Sequence, residues 1–201
     1  MKTKPVLSIA ALTLVTFLFV AFVAPPPVTK FKADVKSSTL LWIGKKVTGE
    51  HKGTIGITSG ELIAEGKTIK SGSFEIDVNS LTVTDLTDKS YNEKLVTHLK
   101  SDDFFGVTKY PKANFAIISV TPNSGDQYLV KGDLTIKGKT NPIEFPATIT
   151  FSDKQVTAKA KIVVNRAKYD IRYGSKSFFD NLGDKVIYDD FDLDLNLVAT
   201  L

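Results

Sequence analysis

The chain has 201 residues, of which 42% are hydrophobic and 24% charged, a composition that suits one domain with a buried core plus a terminal appendage. Its formal net charge is only +4, and Lys2 and Lys4 account for two of those charges, so the remainder lacks the basic footprint of a nucleic-acid binder. The absence of cysteine excludes disulfides, thiolate catalysis, cysteine-ligated zinc and a lipoprotein anchor.

Behind Lys2 and Lys4, residues 5–24 carry no charge, a run long enough to cross a hydrocarbon core. Residues 1–24 therefore read either as a signal peptide cut after Ala24 or as an N-terminal membrane anchor that is retained. Lysines on the short N-terminal side place that end in the cytoplasm. In both cases the domain is expected to be periplasmic or otherwise extracytoplasmic, held at the inner membrane by residues 5–24 where they are not removed. Pro25, Pro26 and Pro27 cannot continue a helix or join a sheet ladder, so residues 25–35 read as a Pro-rich linker and residues 36–201 as the domain.

From there to Val83 the pattern is of short strands punctuated by glycine: TLLWIGKKV, GTIGITSGELI and TIKSGSFEIDVNSLTV. In the last, Phe74, Ile76 and Val78 alternate with Glu75 and Asp77, the mark of a half-buried strand. Gly49, Gly53, Gly56 and Gly60 suit a strongly curved sheet.

Residues 90–111, SYNEKLVTHLKSDDFFGVTKYP, break this rhythm. Ser90 with Glu93 has the spacing of a capping box. Leu95, Val96 and Leu99 follow at helical spacing, and Ser101, Asp102 and Asp103 give a second start signal. Phe104 and Phe105 come next, and burying each is worth about 1.5–3 kcal/mol. A short helical insertion near residues 90–106 is thus expected to lean its aromatic end into a hollow.

Alternation then resumes. Phe115, Ile117 and Ser119 face opposite to Ala116, Ile118 and Val120. Further strands carry Tyr128, Val130, Gly132, Leu134 and Ile136, then Ile143, Phe145, Ala147, Ile149 and Phe151, then Val156, Ala158, Ala160, Ile162 and Val164. Residues 169–188 are irregular and suited to covering one end, and Phe191, Leu193, Leu195 and Leu197 mark a last strand. About eight antiparallel strands without a long helix leave an all-β sandwich or a closed barrel.

Little in the chain points to chemistry. His51 and His98 are the only histidines. His98 and Asp102 share a helical face, yet a zinc site wants three or four protein ligands, so His98 reads as a capping or network residue and His51 as a strand-surface residue. No carboxylate pair sits in apolar surroundings that would suit acid catalysis, and no phosphate loop is present. The aromatic set Trp42, Phe74, Phe104, Phe105, Phe115, Phe145, Phe151, Phe178 and Phe179 suits an apolar cavity as well as an ordinary core.

The runs HLKSDDFFGVTKYP, NFAI, GDLTIKGKTNPI and NRAKYDI, with the opening STLLWIGKKVTGEHKGT, resemble the YceI-like family of extracytoplasmic, polyisoprenoid-binding, lipocalin-like proteins. The resemblance covers nearly all of the chain after the prolines. It implies an eight-stranded antiparallel barrel whose apolar tunnel holds a polyisoprenoid or other long-chain amphiphilic lipid, with no catalysis and no cofactor. It further implies that Phe104, Phe105, Phe115 and Tyr169 line the tunnel with Trp42 and Leu99 behind them, while His98 and Arg166 orient a polar end. The small residues Ala158 and Ala160 would leave tunnel volume. At Leu95 and Val96 the chain departs from the Arg-Asp that many members carry. Membrane contact through the N-terminal segment and a homodimer complete the expected partners. The rival reading is an envelope stress or surface interaction module with a packed barrel interior.

Overall fold

The computed structural model describes residues 26–201; the signal or anchor reading of residues 1–24 lies outside them. Ten strands are formed: Val28–Ala33 (β1), Thr39–Lys46 (β2), Gly49–Thr54 (β3), Gly56–Glu65 (β4), Thr68–Asp77 (β5), Lys112–Pro122 (β6), Gln127–Ile136 (β7), Lys139–Phe151 (β8), Gln155–Asn165 (β9) and Ile187–Thr200 (β10). One α-helix, Lys89–Lys100 (α1), interrupts them.

These strands make a closed eight-stranded antiparallel barrel, because two positions in it are each filled by two strands in tandem. β10 pairs with β2 along Ile187–Asn196 and with β1 at Ala199 and Thr200. β1 and β2 therefore follow one another along the same neighbour. β3 pairs with β2, and after Ile55 the chain continues as β4, which pairs with β1 and β5. The circuit then runs through β6, β7, β8 and β9 back to β10, while β3, paired with β2 alone among the strands, accepts at its Thr54 and Lys52 carbonyls from the amides of Thr82 and Thr84.

β1 corrects the expected linker over residues 25–35. The prolines end before it, and Val28–Ala33 pairs with β4 in register, Phe31 opposite Leu62. Phe31 is buried in the main core. Burial of one aromatic side chain and a ladder on each side outweigh the weak local pattern. Between β1 and β2 the Asp34 carboxylate accepts from the amides of Lys36 and Ser37 and from the Ser37 hydroxyl, closing the small outward turn.

The helix begins two residues earlier than its expected capping box. Asp88, not Ser90, is the N-cap, its carboxylate accepting from the Tyr91 amide at 3.0 Å. The second start signal at Ser101 yields no helix. Instead the Gly106 and Val107 amides donate back to the carbonyls of Ser101 and Lys100, with Gly106 at φ +57°, so the chain turns and drives the two phenylalanines inward.

In β6 a bulge between Ile117 and Ser119 changes the face order. Phe115, Ile117 and Val120 point into the lumen, while Ile118 is left exposed, so strict alternation beyond Ile117 does not hold. β7, β8 and β9 keep the expected alternation. Ala147 pairs with Ala160, and Ile149 with Ala158, which concentrates small side chains on one wall.

Candidate functional site

The lumen is not filled. An outer cavity of about 170 Å³ and an inner one of about 100 Å³ lie in it, and Leu40, Ile76, Leu134 and Leu193 line both. The inner cavity lies within the strand walls. All its lining side chains are hydrocarbon or phenyl, including Phe115, Phe145, Ala158 and Ala160.

The outer cavity is walled on one side by β2 and β10 and on the other by α1 and its following turn. Trp42, Leu95, Leu99, Phe104 and Phe105 all line it. Trp42 is fixed by its indole N–H, which donates to the Thr82 carbonyl at 3.0 Å. That approach needs Gly53, since a Cβ there would stand 1.8 Å from the Thr82 oxygen. Trp42, Leu81 and Val83 form a small second core on which Leu95, Val96 and Leu99 rest. Asn92 ties the helix to it by donating to the carbonyls of Val83 and Leu86 at 2.9 and 3.0 Å.

Two expected lining residues are elsewhere, and a third is engaged otherwise. His98 lines neither cavity. Its Nε2 is 2.9 Å from Asp103 Oδ2, and its ring packs edge-on against Phe104 at 5.0 Å and Tyr173 at 4.6 Å. Tyr169, only 1% exposed, also lines neither, because the 3₁₀ turn Arg166–Tyr169 breaks the alternation of β9. Its hydroxyl finds no partner, and burial pushes its pKa up to about 12. Arg166 does line the outer cavity, at 4% exposure. Its Nε, Nη1 and Nη2 donate to the carbonyls of Tyr188, Ile171 and Ile187 at 2.9–3.1 Å, with Asp189 3.5 Å from Nη2. Burial pushes its pKa down while the nearby Asp189 carboxylate opposes that. The guanidinium is thus a clamp joining both ends of the 171–187 loop.

His51 is the residue missed. It lines the outer cavity with Lys45, Lys46 and Tyr188. Its Nδ1 is 2.8 Å from Asp85 Oδ2, and Asp85 Oδ1 accepts from the Lys52 amide at 2.9 Å. Burial pushes the Asp85 pKa up, but these hydrogen bonds and the His51 ring outweigh it and leave it below the usual value. A signal was available. Trp42 pairs with Gly53 and Gly44 with His51, and paired residues in an antiparallel ladder share a face, so counting by two from Trp42 turns His51 inward.

His51 and His98 thus meet different carboxylates on different elements. Among the described residues no group of three His, Asp or Glu is placed to hold a metal ion.

A closed barrel with an apolar, partly open lumen and a helical stopper defines the lipocalin-like class of fold. The chain belongs to the YceI-like domain family, which matches residues 31–199. A UPF0312 protein of Shewanella denitrificans is 30% identical over 88 residues, 44% of each chain. Protein YceI of Shigella flexneri is 44% identical over 52 residues, 26% of this chain and 27% of that one. These alignments span less than half of either relative. Among solved structures, BcnA of Burkholderia cenocepacia superposes with a TM-score of 0.66 at 25% identity, over 84% of this chain and 99% of that one. A polyisoprenoid binding domain from Saccharophagus degradans gives a TM-score of 0.63 at 16% identity, over 85% and 97%, a likeness of fold.

Proposed function

We propose that the domain binds one isoprenoid or similar long amphiphilic lipid by its tail, and so sequesters or carries it outside the cytoplasm. The observation that carries this is the all-hydrocarbon inner cavity lying next to the outer one, with four side chains lining both. A packed interaction module would fill that space, as native cores do. Hydrophobic transfer supplies about 0.8 kcal/mol per buried CH₂, so a long tail needs no ionic contact for useful affinity. A slender chain suits cavities of this size, in which Phe115 and Phe145 pack against each other on the wall with ring centroids 5.7 Å apart.

Native mass spectrometry of the protein purified from its own envelope fraction, with solvent extraction of bound material, tests the proposal. A discrete adduct identified as an isoprenoid or other long-chain lipid is expected. A ligand-free protein that also refuses added polyprenols would support the packed module instead.

A further inference from the structure

The polar residues that line the outer cavity include cations and no acid. Its polar lining side chains are Lys45, Lys46, His51, Arg166 and Tyr188, and no Asp or Glu side chain lines it. Acids are present nearby but do not belong to the lining. Asp192 holds Lys45 at 2.5 Å, Asp85 holds His51 Nδ1, and Asp189 stands by Arg166.

This arrangement leaves specific groups free. Arg166 is committed to three carbonyls. His51 Nδ1 is turned to Asp85, which is outside the lining, so the remaining ring nitrogen, without a protein partner among the described residues, is the one left for the cavity. Lys46 makes no ion pair or side-chain hydrogen bond among the described residues, and it stands opposite Ile187 in the ladder, next to Tyr188. The contact with Asp85 orients the His51 ring, as the partners of functional imidazoles commonly do.

We propose that Lys46, His51 and the Tyr188 hydroxyl form a subsite at the tunnel mouth for an anionic head group bearing phosphate or carboxylate oxygens. It rests on the tail-binding function proposed above, and adds that the cargo carries a negative charge. The Lys46 ammonium and the Tyr188 hydroxyl are donors, His51 as the imidazolium held by Asp85 offers its second N–H, and no carboxylate lines the cavity; this favours an anion over a neutral alcohol, because hydrogen bonds to ionised oxygens are about twice as strong as neutral ones. The Coulombic part falls with salt, whereas burial of the tail does not.

The test compares two probes with the same tail, geranylgeranyl phosphate and geranylgeraniol, on the full protein. The phosphate is expected to bind about tenfold tighter at low salt, and its advantage to shrink at high salt. Lys46→Gln and His51→Gln should each cut that ratio, and the pair should bring it close to one. Lys46→Gln disturbs no internal contact, so it decides the matter even if His51→Gln is unstable. Binding of the alcohol with no preference for the phosphate, or a preference that both variants keep, would overturn the subsite alone. Binding of neither probe would overturn tail binding as well.

Discussion

The two halves of the lumen are held open by different means. Around the inner cavity the walls are strand ladders, and the space exists because Ala147, Ala158 and Ala160 are small where their neighbours are large. Around the outer cavity the walls are a helix, a turn and a loop fixed by individual side chains: Trp42 on Thr82, Asn92 on Val83 and Leu86, and Arg166 on three carbonyls. Volume in the first half is written into side-chain size, and in the second into a few polar anchors. Disturbing a residue in one half should therefore change capacity, and in the other half stability.

The largest expected effect is on the outer half. Arg166→Met strands three carbonyls and the Asp189 carboxylate, so stability should fall by about 3 kcal/mol or more and Tm by about 10 °C. Thermal unfolding followed by circular dichroism measures it, and a loss below about 1 kcal/mol would show that the loop closes without the clamp. Ala158→Phe should do the converse. Overpacking costs about 1–3 kcal/mol, but affinity for a long polyprenol should drop at least about fiftyfold, while a geraniol-length chain that ends in the outer cavity keeps its affinity within about threefold. Equal losses for both lengths would mean that the two cavities do not hold one chain.

Smaller effects come from the titrating groups. Asp85 has a lowered folded-state pKa, so its contribution to stability is present above the ordinary carboxylate range and is lost as pH falls through the lowered value. Asp85→Asn should lower stability by about 1 kcal/mol near neutrality, and the two proteins should converge under acid, as denaturation against pH would show. A constant difference down to the acid limit would place the effect elsewhere. Smallest is Tyr169, whose pKa, pushed up to about 12 by burial, should give a late phase in an alkaline absorbance titration. Because the buried tyrosine stays neutral after the unfolded one ionises, it lowers stability progressively above about pH 10. Tyr169→Phe should remove that late phase and change neutral stability little, since the hydroxyl is unpaired.

The same division explains what could be read from the chain. Ladder walls announce themselves by period two, and Ile143 to Phe151, Val156 to Val164 and Phe191 to Leu197 were legible with their inward residues. β1 was not, because its closing role depends on β4 and β10, with partners 29 to 37 positions later in the chain in the first case, and its own pattern is one phenylalanine between lysines. The bulge in β6 broke the count locally. In the outer half, Leu95, Leu99, Phe104 and Phe105 were visible from helical spacing and aromatic content, and Trp42 by resemblance. Arg166 was taken for a ligand contact because sequence cannot show which carbonyls a loop returns to it. His51 was passed over since Asp85 reaches it only through the fold, although its register with Trp42 was countable.

Trp42 is the only tryptophan and lines the outer cavity but not the inner one. Its fluorescence can therefore locate a bound chain along the lumen. Geranylgeraniol analogues carrying a bromine on the isoprene unit next to the head or on the terminal unit would be titrated against the protein. A single tail threaded from mouth to interior should quench Trp42 strongly when the bromine is near the head and weakly when it is at the far end. Equal quenching by both, or none by either despite binding, would contradict a tail lying through the two cavities.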